Sequence, residues 1–176
     1  LGLRLMELKE LTEKVLELFG AESPEQLKDK IYTAVLNNDT EKYSGFVEIV
    51  GGDLSVDWMQ KIYQYYQADR KNLGQDYTPK CLAEFVSMLV GATDGYMVDL
   101  CAGSGALTIQ NWNAASNNLE YTCVEMDKNV IPYLLFNLAV RNIEATVVHG
   151  DALLGRVYDT YKIHKGEQFG LVGVVK

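Results

Sequence analysis

The chain predicts an α/β fold, the first part of an open, doubly wound sheet behind a helical amino-terminal region, and three observations carry that reading. Three short apolar runs each close on a carboxylate: residues 96–99 on Asp99, 119–125 on Glu125 and 145–151 on Asp151. Two closely spaced glycines, Gly103 and Gly105, follow the first run and lead into an apolar stretch of helical character. The first third, in contrast, repeats its apolar residues at helical spacing. The expected organisation is a helical region over residues 1–70 and an α/β domain over residues 71–176, with residues 69–75 as the connection.

Taken in order, Leu8, Leu11, Val15 and Leu18 share one face of a first helix, and Gly20 is placed to stop it. Ser23-Pro24-Glu25-Gln26 supplies an N-cap, a proline at the first helical position and a capping-box Gln. The helix it opens should bury Leu27, Ile31, Ala34 and Val35. Asn37-Asn38-Asp39 and Gly51-Gly52-Asp53 punctuate the next stretch, and Ser55 is expected to cap a helix with Trp58, Ile62 and Tyr65 on one side. Its tyrosines are read as packing against the α/β domain. A further helix covers residues 82–90, and another, residues 128–142, joins the second and third strands. The apolar run 169–175 is a candidate fourth strand, with an open edge able to pair with another copy.

Strands of an open parallel sheet present their carboxyl ends to one crevice, so Asp99, Glu125 and Asp151 should converge there beside the glycine turn. Gly103 and Gly105 let the backbone approach a ligand at a helix N-terminus. A dinucleotide fingerprint asks for a third glycine, and Thr108 stands in its place. S-adenosylmethionine carries no phosphate; its ammonium, ribose hydroxyls and adenine amine are donors or cations. Carboxylates only accept, so Asp99 suits the ammonium, Glu125 the ribose and Asp151 the adenine. Met126 either flanks the adenine or packs in the core, and Asp127 is read as a cap for the following helix.

The net charge of −8 is spread over both regions: eight Lys/Arg against thirteen Asp/Glu in residues 1–70, eight against eleven after it. Neither half has the clustered cations of an independent DNA-binding surface. Cys81, Cys101 and Cys123 lack metal or disulfide spacing and read as reduced core residues, and two histidines are too few for a metal site. With no apolar run of about 20 residues and no signal peptide, the expectation is a soluble, cytoplasmic protein without a membrane partner.

Residues 99–105, Asp-Leu-Cys-Ala-Gly-Ser-Gly, resemble the first motif of adenine-specific (N6) DNA methyltransferases, especially the modification subunits of type I restriction-modification systems. Upstream, Gly74-Gln75-Asp76-Tyr77-Thr78-Pro79 is similar to an element that in that family holds the methionine end of the cofactor. Val124-Glu125-Met126-Asp127 and Gly150-Asp151-Ala152-Leu153 match the second and third motifs. The resemblance implies a Rossmann-like methyltransferase fold binding S-adenosylmethionine through Tyr77, Thr78, Pro79, Asp99, Cys101, Ala102, Gly103, Gly105, Glu125, Met126, Asp151 and Ala152. It also implies DNA as substrate, reached through further sequence or a partner such as a specificity subunit.

The family's Asn-Pro-Pro-Tyr/Phe loop has no counterpart, because Pro24, Pro79 and Pro132 are the only prolines. Catalytic residues are therefore left unassigned and the methyltransferase domain is expected to be incomplete; Met6 is a candidate natural start. Rival readings are a non-catalytic module with a degenerate methyltransferase fold, a nicotinamide or flavin enzyme, and a methyltransferase acting on RNA or protein glutamine.

Overall fold

The structure, a computed structural model, describes residues 2–66, 78–91, 94–115 and 118–175. Four helices come first: α1 (Gly2–Phe19), α2 (Pro24–Leu36), α3 (Thr40–Ile49) and α4 (Trp58–Tyr66). After α5 (Lys80–Val90) the chain alternates β1 (Asp94–Asp99), α6 (Ala106–Ala114), β2 (Asn118–Glu125), α7 (Ile131–Val140) and β3 (Ala145–Asp151), then closes with β4 (Arg156–His164) and β5 (Leu171–Val175). The expected 69–75 connection and Tyr77 lie outside the described residues.

The α2 face is the one its periodicity announced: Leu27, Ile31, Ala34 and Val35 are buried. Its cap differs, since Ser23 makes no capping bond and the Gln26 side chain reaches back to the Glu22 amide instead. Among the described side chains of α1, Val15 and Phe19 are buried, joined by Thr12, whose hydroxyl donates to the Leu8 carbonyl and so enters the apolar face satisfied. Leu8, Leu11 and Leu18 pack from the rim. Gly20 ends the helix at φ 62°.

One helix is added to the expected set, and one cap needs correction. The segment between the Asn37 and Gly51 clusters is itself a helix, α3; its Tyr-Ser-Gly-Phe-Val centre has weak propensity, and Asp39 initiates it by accepting from the Lys42 amide. Ser55 does not cap α4. Asp57 does, accepting from the Gln60 amide, while Ser55 is turned into a bond with Asp53. The α4 face that packs inward is Met59, Ile62 and Tyr63, with Tyr65 exposed.

All ten residues of α7 are buried. A helix apolar on nearly every side must be covered on every side, and α7 lies between the sheet and the amino-terminal helices, with Asn137 its one polar side chain besides the Tyr133 hydroxyl. Phe136 meets Phe46, Phe19 and Tyr43 at ring separations of 5.0, 5.5 and 5.5 Å, and Tyr63 reaches Tyr133 at 5.2 Å. The tyrosine side of α4 therefore does pack on the α/β part, through Tyr63. One hydrophobic core runs continuously from α1 to β5.

The sheet is open, mixed and ordered β1-β2-β3-β4-β5. β1, β2 and β3 run parallel, with Asp99 level with Cys123 and Glu125 level with His149. β4 and β5 are antiparallel, so the carboxyl-terminal apolar run is not a fourth parallel strand; it is the fifth, at the edge opposite β1. The reason is chain length. Four residues separate Asp151 from Arg156, and a parallel crossover takes about a dozen. The outer edge of β5 is capped by Asn38, whose side chain accepts from the Val172 amide and donates to its carbonyl. Of the cysteines, only Cys123 is in the core; Cys81 and Cys101 are exposed.

Candidate functional site

The parallel strands bring the ends of β1, β2 and β3, and with them Asp99, Glu125 and Asp151, to one edge of the sheet. The turn after β1 folds over that edge. Ala102 donates its amide to the Val124 carbonyl at 2.9 Å, docking the loop on β2. Gly103 and Gly105 take φ of 55° and 99°, the left-handed region closed to most side chains. A Cβ on Gly105 would also stand 3.1 Å from Leu134 Cδ1, so the helix behind the loop is packed to glycine's dimensions.

Each acid has a definite setting. Glu125 accepts from the Gly103 amide at 2.8 Å through one oxygen and from the Asp127 amide at 2.7 Å through the other. The second motif thus holds the first in shape, and each oxygen keeps lone-pair capacity for a further donor. Asp99 accepts from Thr108 Oγ1 at 3.1 Å, which explains the residue at the third-glycine position: it reaches back from the first turn of α6 to orient the acid. Burial raises the Asp99 pKa above the ordinary carboxylate value, and the bonds from Thr108 and the Cys101 amide pull it partly back. Asp151 accepts the Leu153 and Leu154 amides through a single oxygen, both at 2.9 Å. Cys101, Met126 and Ala152 are exposed beside these groups, and Ala102 is buried under the loop.

The remaining candidates sit differently. Pro79 occupies the N-cap position of α5, and the Thr78 carbonyl accepts from Gln60 Nε2 at 3.5 Å. Pro79 also lines a cleft shared with Leu11, Trp58, Lys61 and Tyr65, which ties this element to the amino-terminal helices. Asp127 forms a turn rather than the cap itself, accepting from the Asn129 amide one residue before Val130 precedes α7. Among the described residues, no three His, Cys, Asp or Glu are grouped to hold a metal ion, and no helix is long and apolar enough to cross a membrane.

One group escaped the sequence reading. Asp57, Ser104, Asn137 and Arg141 form a buried polar cluster directly beneath the glycine turn. Burial pushes the Asp57 carboxyl up and brings the Arg141 guanidinium down to about 10. A signal was present in the sequence: Asn137 interrupts the apolar run of residues 130–140 and Arg141 ends it, and polar groups so placed need buried partners.

No curated protein and no solved structure matched the chain. The family model for N-6 DNA methylase matches residues 54–171, about two thirds of the sequence, from the segment that delivers Asp57 through all three acidic strand ends to the start of β5. The chain, its glycine turn clamped by the acid of the next strand, belongs to the N-6 DNA methylase family, the adenine-N6 DNA methyltransferases.

Proposed function

We propose that this chain is the S-adenosylmethionine-binding portion of an adenine-specific DNA methyltransferase, of the kind found as modification subunits in type I restriction-modification systems. The observation that carries the reading is the Glu125 clamp on the Gly103 amide, which fixes a positive-φ glycine turn at the edge where Asp99 and Asp151 also end. Such a turn beside three acceptor groups suits a donor-rich ligand without phosphate. Asp99 would take the ammonium group, Glu125 the ribose hydroxyls and Asp151 the adenine amine, with Met126 at the ring face and Thr78, Pro79 and Tyr77 toward the methionine end. Bound there, the cofactor supplies an electrophilic methyl group for an adenine amine.

This chain's contribution is to hold and orient the donor. No two of its prolines are adjacent, so the acceptor side, which must grip a base turned out of the helix, comes from other sequence or a partner. DNA contact and any specificity subunit belong to that same complement, and the cytoplasm is the compartment this reading implies. Calorimetry is the direct test. Micromolar or tighter binding of S-adenosylhomocysteine, with no response to NAD, is expected, and binding of NAD alone would overturn the assignment. The chain alone should not transfer labelled methyl groups to DNA; efficient transfer would require an acceptor loop unlike the family's.

A further inference from the structure

The glycine turn is held from below as well as from above. Ser104, between the two positive-φ glycines, is almost fully buried, and both of its polar ends are taken. Its hydroxyl donates to Asp57 Oδ2 at 2.6 Å and its carbonyl accepts from Asn137 Nδ2 at 2.9 Å. The same Asn137 amide group donates to Asp57 Oδ1 at 2.8 Å, so the cap of α4 and the middle of α7 close on one residue of the turn.

The segment that delivers Asp57 is itself strapped down. Arg141 donates to the Leu54 carbonyl at 2.8 Å and the Val56 carbonyl at 2.9 Å, and Gln110 of α6 donates to the Ser55 carbonyl at 2.6 Å. Arg141 also donates to both oxygens of Asn137, which sets the amide so that its nitrogen faces Ser104 and Asp57. Three successive carbonyls are thus fixed for a single acid, and burying both the Asp57 carboxyl and the Arg141 guanidinium is an expensive way only to add stability.

We infer that Asp57, Asn137 and Arg141 are positioning residues for the cofactor turn: they lock Ser104 from the side away from the ligand, so that the amino-terminal helices set the shape of the binding loop. Glycine loses the most conformational freedom on ordering, and the turn has two glycines around Ser104. Holding Ser104 removes that freedom before a ligand arrives, and ligand binding then costs less. The inference rests on the proposed S-adenosylmethionine site for its consequence in binding, but not for the ordering of the turn itself.

The test uses the full chain with Ser104→Ala, Asp57→Ala and Asp57→Asn. Asn at position 57 keeps the Oδ1 acceptor and can donate to the Ser104 oxygen, so it should rescue what alanine loses. Amide hydrogen exchange, without ligand, should accelerate at Gly103 and Gly105 in Ser104→Ala while amides of β2 and β3 keep wild-type protection. Asp57→Asn should stay near wild type at both glycines. S-adenosylhomocysteine should bind about tenfold more weakly to Ser104→Ala, the scale of one charge-assisted hydrogen bond. Asp57→Ala should match Ser104→Ala if it folds; if it does not, Ser104→Ala, which removes one oxygen atom, decides the question. Wild-type exchange at both glycines in Ser104→Ala, or Asp57→Asn as fast as Ser104→Ala, would overturn the inference. Failure of the wild type to bind S-adenosylhomocysteine would instead remove the proposed function, with the exchange pattern still deciding the role of the cluster.

Discussion

At the scale of single residues, Asp99 and Glu125 make different contributions. Asp99 is partly withdrawn from water and its pKa is raised. An acid so shifted gives stability that is complete below the unfolded pKa and lost as pH rises through the folded value. Asp99→Asn should therefore raise the thermal midpoint at pH 7 and leave it near wild type at about pH 3.5, where the acid is largely protonated in both states. Ligand affinity should move the opposite way. A cationic amine needs the ionised acid, so wild-type affinity should fall on acidification sooner than for an ordinary carboxylate, and Asp99→Asn should be weaker and flat with pH. Titration calorimetry across that range checks both. Glu125→Ala removes two backbone bonds, to Gly103 and Asp127. It should weaken S-adenosylhomocysteine binding by about 1.5–3 kcal/mol, as for hydrogen bonds to charged groups, and unchanged affinity in a folded variant would place the ribose elsewhere.

At the scale of elements, α7 is the part on which the others depend. Its Phe136 ring meets three aromatic rings from α1 and α3, so Phe136→Ala should cost about 3–5 kcal/mol in urea unfolding. A loss under about 1 kcal/mol would mean the helices rearrange to fill the gap. The sequence made α2 legible to the residue because apolar period and burial coincide there. It hid α3, where a short element of weak formers is held by its cap and by Tyr43 and Phe46 against distant rings. It also hid β4, whose first half is exposed and which exists by pairing with β3. Strands of that kind carry no strong pattern of their own.

At the scale of the whole molecule, the uncovered apolar surfaces of α5 and of β1 stand out. Among the described residues β1 is paired on one side only and carries the exposed Tyr96, and on α5 Phe85, Met88 and Leu89 are each more than half exposed. Apolar surface of this extent seeks cover. The isolated chain should associate with rising concentration, as sedimentation velocity would show, and replacing Phe85, Met88 and Leu89 with Ser or Glu should leave a monomer with unchanged far-ultraviolet dichroism. A wild-type chain monomeric at high concentration would mean that these surfaces need no cover.

The parallel core, and the edge where its acids end, were legible in the amino-acid sequence. Apolar runs ending on Asp99, Glu125 and Asp151 and a glycine turn are local patterns, and parallel pairing brings their ends together without further information. Tertiary structure alone decided the rest. That β4 and β5 turn back rather than cross over comes from a connection too short for a crossover, and which strand they join comes from where β3 leaves an edge. That Asp57 caps α4 while gripping Ser104, 47 positions away, is a pairing of buried polar groups. Such a pairing leaves only half its signature at each of its two positions, an acid before a helix and a serine between two glycines, until the fold places them in contact.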